Sequence, residues 1–293
     1  MKISNKKNGG VYLPLLANMR RILEGFRAEH TPDMKYYAFD WDDNIVHMPT
    51  KIVLKTEDGD EVGMSTDDFA EYRHNIGKKP FNYKGETVVD FADDAFRNFR
   101  TSGDKDFLID VMTAKKGPAF NDFKEAINNG SVFSIITARG HNPNTLKEAV
   151  YNYIINGFGG IDKDQLVKNL KKYRTFSDED DMSDDDLIRS YLELNRYHPV
   201  SFGNDGSAAS PEELKVMAMD EFVDYVKGLA ALLNKKAFLK RDIANKFIPE
   251  QPKIGFSDDD LKNVEKISKH FKDKPDNIVK TYSTAGGIKK EYK

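Results

Sequence analysis

The chain has 293 residues, a formal net charge of -3, and 39% hydrophobic against 32% charged residues. It contains no cysteine, which excludes disulfides, a thiol nucleophile and Cys-ligated zinc. The near-balanced charge argues against a basic nucleic-acid-binding surface over the whole chain, and no apolar run approaches the roughly 20 residues of a membrane helix. The 19 Phe and 13 Tyr argue against wholesale disorder. With no signal peptide in its first residues, the chain reads as a soluble cytoplasmic protein with no membrane partner.

Residues 11–30 carry Leu13, Leu16, Met19, Leu23 and Phe26 at helical spacing. They predict an amphipathic helix within an N-terminal helical extension over 1–35. KYYAF then reads as a buried strand ending in acid. Residues 50–66 predict a hairpin around Asp58-Gly59. FNDFKEAINNG predicts a helix ending at Gly130, SVFSII a second buried strand, and TLKEAVYNYIINGF another amphipathic helix. The charged stretch 161–195 is low in apolar residues and predicts an exposed helical insert. YHPVSF reads as a third strand. Ser210, Pro211 and Glu213 mark the start of a long helix with a capping box. PKIGF reads as a strand followed by an acidic turn and a helix, and DNIVKTYS as a last strand. Apolar strands alternating with amphipathic helices predict an α/β fold with a mostly parallel sheet. Such sheets bind ligands beyond the carboxyl ends of their strands.

The residues at those ends are therefore the candidates for function. KYYAF runs into Asp40-Trp41-Asp42-Asp43-Asn44, and SVFSII into Thr137-Ala138-Arg139-Gly140. The third strand precedes Lys215, and PKIGF runs into Ser257-Asp258-Asp259-Asp260. One sheet edge would gather carboxylates, a hydroxyl, a lysine and an arginine. Carboxylate oxygens suit a hard divalent cation such as Mg²⁺. The cation, a lysine and a hydroxyl suit stabilisation of phosphoryl oxygens.

In series, FDWDDN, SIITARG, SPEELK and GFSDDD resemble the four ordered motifs of the haloacid dehalogenase (HAD) superfamily of phosphohydrolases. The resemblance spans Phe39 to Asp260. It implies a Rossmann-like three-layer sandwich with a HAD-like core over 36–48 and 118–293, and a cap-like insertion over 49–117. It also implies roles. Asp40 would be the nucleophile that forms an aspartyl-phosphate, and Asp42 the general acid and then base. Thr137 and Lys215 would hold the phosphoryl oxygens. Mg²⁺ would be held by Asp40, Asp42 through its backbone carbonyl, Asp259 and Asp258. Lys215 is preferred to Lys235, Lys236, Lys240 and Lys246 because it follows a strand and opens a long helix. Arg139 and Asn44 are candidates for contact with the substrate. An acid at Asp42 points to phosphomonoester hydrolysis. The expected substrate is a phosphorylated small molecule. A nucleic-acid end and a non-catalytic binding or regulatory role on the same fold are the alternatives.

Some features read more simply. SDDDL occurs twice, at 183–187 and 257–261. The first follows a polar run and reads as a helix cap; the second follows KIGF and reads as a metal-binding turn. Trp41 reads as local packing and His47 as a surface or core histidine. Glu71-Tyr72-Arg73-His74 reads as a solvated flank.

Overall fold

The computed structural model describes residues 36–173, 182–203, 209–239, 252–274, 276 and 278–293. The predicted helix over 11–30, part of the acidic run before Ser183, and Lys240 and Lys246 lie outside them. In chain order, β1 (Tyr36–Phe39) leads through a tight loop to β2 (Val46–His47). Then come β3 (Ile52–Thr56), β4 (Glu61–Met64), α1 (Thr66–Tyr72), β5 (Phe81–Tyr83) and β6 (Glu86–Phe91). Helix α2 (Asp104–Thr113) and β7 (Lys115–Lys116) return the chain to α3 (Phe120–Asn128) and β8 (Phe133–Thr137). Next are α4 (Pro143–Ile155), α5 (Lys163–Tyr173), α6 (Asp184–Leu194), β9 (Arg196–Pro199) and α7 (Pro211–Leu239). The last elements are β10 (Ile254–Asp258), α8 (Leu261–Lys272), β11 (Val279–Ser283) and β12 (Lys290–Tyr292).

The main sheet has six strands in the order β12-β11-β10-β1-β8-β9. All its pairings are parallel except that of the edge strand β12. This is the predicted α/β fold with a largely parallel sheet. Its inner strands are nearly continuous apolar runs because both faces are covered. Phe39, Phe133 and Ile135 enter one core with residues of α3 to α6. Ala38, Ile136 and Phe256 enter a second core with residues of α7 and α8. Successive side chains of a strand point to opposite faces, so each strand feeds both layers. From β1 the chain builds outward through β8 and β9, then returns to the other side of β1 with β10. The order of construction reverses between β1 and β10, the position where open α/β sheets leave a crevice.

Between β2 and β7 a separate antiparallel sheet forms in the order β4-β3-β6-β5. The predicted hairpin is β3 paired with β4, with Gly59 at a φ of 86° in its turn. This sheet has its own small core, including Ile52, Leu54, Met64, Tyr83 and Val88. Helix α2, inside the expected 49–117 insertion, packs Phe107 and Val111 into the main core instead. One close approach ties the two ends of the insertion together: a Cβ on Gly117 would lie 2.5 Å from the Asn44 carbonyl oxygen.

The 161–195 stretch corrects its expectation of an exposed insert. Leu166 and Leu170 of α5, and Leu187, Ile188, Tyr191 and Leu192 of α6, are buried in the main core. Few apolar residues suffice when they all fall on one stripe of each helix. Among the described residues, no helix is long and apolar enough to cross a membrane.

Candidate functional site

The β1 strand ends where Asp-Trp-Asp alternates between core and crevice. Trp41 is fully buried, stacked on Tyr153 with ring centroids 5.8 Å apart and set edge-on to Phe123. Alternation therefore turns Asp40 and Asp42 to the other side, and both line a cavity of about 540 Å³ at the carboxyl ends of the strands. The loop then turns tightly, with Asp43 at a φ of 54° and the Trp41 carbonyl accepting from the amides of Ile45 and Val46.

Four of the predicted residues meet at one point. The Lys215 Nζ lies 2.8 Å from Asp40 Oδ1 and 2.8 Å from Asp258 Oδ2, all three buried. Ligand oxygens of Asp40, Asp258 and Asp259 lie within 4.8 Å of one another. Asp258 is further fixed by the Asp260 amide at 2.9 Å and by the Asn263 side-chain amide, which donates to both its oxygens. Thus Asn263 serves Asp258. Lys215 reaches the point from the second turn of α7, whose start is pinned by the predicted capping box. There the Ser210 amide donates to Glu213 Oε2 at 2.9 Å, and the Glu213 amide donates to Ser210 Oγ at 3.3 Å.

Three carboxyl groups thus face one ammonium. Burial raises Asp40 well above the usual carboxylate range, opposed by Lys215 and reinforced by Asp258 and Asp42. Burial, with Asp258 and Asp40, pushes Asp259 up to about 9. Burial also opposes the charge of Lys215, but Asp258 and Asp40 outweigh it, so the lysine pKa rises and the group stays an ammonium. One ammonium leaves the three acids short of positive charge. A divalent cation would supply it, and the set of carboxylate oxygens suits a hard ion such as Mg²⁺. The residues present therefore fit that ion.

Asp42 is engaged differently. Its side chain is absent from that three-acid cluster and is held by Arg139, with Nε at 2.8 Å from Oδ2 and Nη2 at 2.6 Å from Oδ1. Arg139 lines the cavity yet is only 1% exposed. Its guanidinium carbon lies over the rings of Phe99 and Phe107, 4.6 and 5.0 Å from their centroids. It also donates to Thr50 Oγ1 at 3.2 Å. Its Nη1 lies 3.1 Å from His141 Nε2, while His141 Nδ1 lies 2.8 Å from Asp104 Oδ1. Burial, then the charge of Arg139, lowers the His141 pKa. A neutral ring satisfies both contacts when Nδ1–H donates to Asp104 and Nε2 accepts from Arg139.

Thr137 lies buried at the cavity wall, as expected of a residue at the end of β8. Its Oγ1 accepts from the Arg139 amide at 3.4 Å. Asn44 is not among the cavity-lining residues. Its side-chain amide donates to the carbonyls of Asp40 and Ser257 at 3.0 Å each, and its Oδ1 accepts from Thr284 Oγ1 at 2.9 Å. Through these bonds Asn44 staples the β1 loop to β10, away from the cavity lining where a substrate contact was expected. Arg73, read as part of a solvated flank, lines the cavity, with Nη1 3.9 Å from Asp260 Oδ2. His47 is half-exposed, with Nδ1 2.7 Å from Asp43 Oδ1.

Sequence reasoning missed Thr50, Asp104, His141 and Thr284. None stands inside one of the four motifs, and folding alone brings Thr50 and His141 to Arg139, Asp104 to His141 and Thr284 to Asn44. No known family model, no curated protein and no solved structure matches the chain.

Proposed function

We propose that the protein is a Mg²⁺-dependent phosphohydrolase of HAD-like architecture acting on a phosphomonoester. The observation that carries this reading is the junction of buried Asp40, Asp258 and Lys215 with the half-buried Asp259 at the carboxyl edge of a parallel sheet. Asp40 is the group positioned to attack phosphorus: its Oδ1 is fixed by Lys215 at 2.8 Å and its backbone by the Ser257 carbonyl and Asn44. Attack by a carboxylate oxygen forms an acyl phosphate and releases the alcohol, and water then releases phosphate and restores Asp40. Asp40, Asp258 and Asp259 would hold Mg²⁺, which supplies charge neutralisation for the phosphoryl oxygens. Lys215 adds a fixed positive charge, and the Thr137 hydroxyl at the cavity wall is a donor for a phosphoryl oxygen. Asp42 stands two residues from the nucleophile, on the same side of the strand. It is the acid–base candidate, and Arg139 fixes its direction. Residues of the insertion, among them Ile52, Phe69 and Phe99, line the cavity and would limit water around the acyl phosphate.

Phosphate release from a panel of nucleotides, sugar phosphates and phosphorylated oligonucleotides, with and without Mg²⁺, tests the reading. Metal-dependent release that disappears in Asp40→Asn is the expected result. Release unchanged in Asp40→Asn, or none from any member, overturns it and leaves a binding protein on the same fold.

A further inference from the structure

The cavity draws its lining from two parts of the fold. The carboxylates, Lys215 and Arg139 come from the sheet edge, while the insertion contributes Thr66, Arg73 and Arg100 and the apolar side chains of Ile52, Phe69, Phe96 and Phe99. Large aromatic rings elsewhere in the main core, such as Phe39, Phe120 and Phe133, are almost fully buried. Phe96 is 37% exposed although it sits in a cavity wall. It is also held firmly. Its ring centroid lies 5.8 Å from Phe69 and from Phe91, and 6.2 Å from Phe99. Phe99 in turn covers the Arg139 guanidinium at 4.6 Å. A chain of aromatic contacts therefore runs from the Asp42 partner out along the cavity wall, with Phe96 edge-on to Phe69 and Phe99. A volume of about 540 Å³ leaves ample room beyond a phosphoryl group.

We propose that this wall selects phosphomonoesters whose organic group carries a flat unsaturated ring, with Phe96 as the specificity-determining stacking face. A flat ring gains dispersion and quadrupole contact that a polyol does not, and a Phe96 ring already packed among three neighbours adds little ordering cost. The proposal rests on the phosphohydrolase reading for the phosphoryl end alone. Two sources share this chemistry, a nucleobase on a ribose phosphate and an aryl group directly on phosphate.

Two ligand pairs isolate the ring. A nucleoside 5′-monophosphate and ribose 5-phosphate share the leaving alcohol and differ in the base. Phenyl phosphate and ethyl phosphate form the aryl pair. Affinities are measured by calorimetry with Mg²⁺ on Asp40→Asn, and kcat/KM on the unsubstituted enzyme. Stacking on an aromatic side chain predicts about tenfold tighter binding of the ring-bearing member of one pair. The pair that shows it names the source. Phe96→Leu, which keeps bulk, brings that ratio towards one, while Phe96→Tyr retains it. Equal affinity within both pairs, no binding of any member, or a preference untouched by Phe96→Leu overturns the proposal. Phosphate release with equal affinities overturns the ring selection alone. A Phe96-dependent ring preference without phosphate release overturns the hydrolase reading and leaves the ring site standing.

Discussion

Arg139 and Asp42 are joined by a two-point fork, at 2.8 and 2.6 Å, that links the end of β8 to the end of β1. The arginine is buried and the aspartate side chain is 18% exposed. The guanidinium would be costly to bury alone, and this carboxylate offsets that cost. Because Arg139 also contacts His141 and Thr50, the direction of Asp42 is set by residues of both the core and the insertion.

Arg139→Lys keeps the charge but cannot form the fork. Under the proposed phosphohydrolase reading, the expected outcome is a fall in kcat of at least tenfold with a smaller change in KM, because Asp42 loses its orientation while Lys215 and Thr137 stay in place. Arg139→Met removes the charge as well, and loss of a buried partner costs about 3–5 kcal/mol. Partial exposure of Asp42 places the cost at the lower end of that range. Denaturant unfolding and steady-state kinetics on the two variants check both statements.

Lys215→Met leaves Asp40 and Asp258 facing each other without their shared cation. Unfolding in chelator should show a loss of about 3 kcal/mol or more. Added Mg²⁺ should recover part of it, since an ion at the proposed site would supply positive charge at the same carboxylates.

Mg²⁺ should stabilise the unsubstituted protein by mass action, by about 2.7 kcal/mol at a concentration one hundred times the dissociation constant. Thermal unfolding followed against the logarithm of Mg²⁺ concentration reads this directly. Asp258→Asn should flatten the response. A response unchanged in Asp258→Asn would place the ion elsewhere.

His198 on β9 gives a pH signature apart from the site. Burial, then Arg196, lowers its pKa from 6.5 to about 4. The unfolded chain therefore binds a proton between pH 6.5 and 4 that the folded chain does not. The contribution is present above pH 6.5 and is lost as pH falls towards 4. His198→Phe, which cannot take up the proton, should reduce the acid slope of unfolding free energy in that window.

Ser183→Ala should cost about 1 kcal/mol through loss of the cap at α6, with phosphate release unaffected. Ser183 Oγ accepts from the Asp186 amide at 3.1 Å, far along the chain from any cavity-lining residue. Asn44→Ala offers the contrast. It removes the links to Asp40, Ser257 and Thr284, so it should lower both stability and turnover.

The sequence alone determined the strand-and-helix alternation, the hairpin at 50–66 and the capping box at Ser210. Each depends on neighbours within a few residues: apolar period, a turn pair, a reciprocal cap. It also brought Asp40, Thr137, Lys215 and Asp258 to attention, because each closes or follows an apolar run. What it could not decide is shown by SDDDL. At 183–187 the serine caps a helix and the acids occupy its first turn. At 257–261 the same five residues begin inside β10: Ser257 and Asp258 are buried strand residues, and Asp260 is the cap. The local preference is identical, and pairing of β10 with β1 and β11 extends the strand by two residues and drives Asp258 against Lys215. Likewise, nothing near Arg139 in the chain announces Asp42, and nothing near Asn44 announces Thr284. Charge pairing and amide satisfaction across the fold are long-range choices, made where burial removes water as the alternative partner.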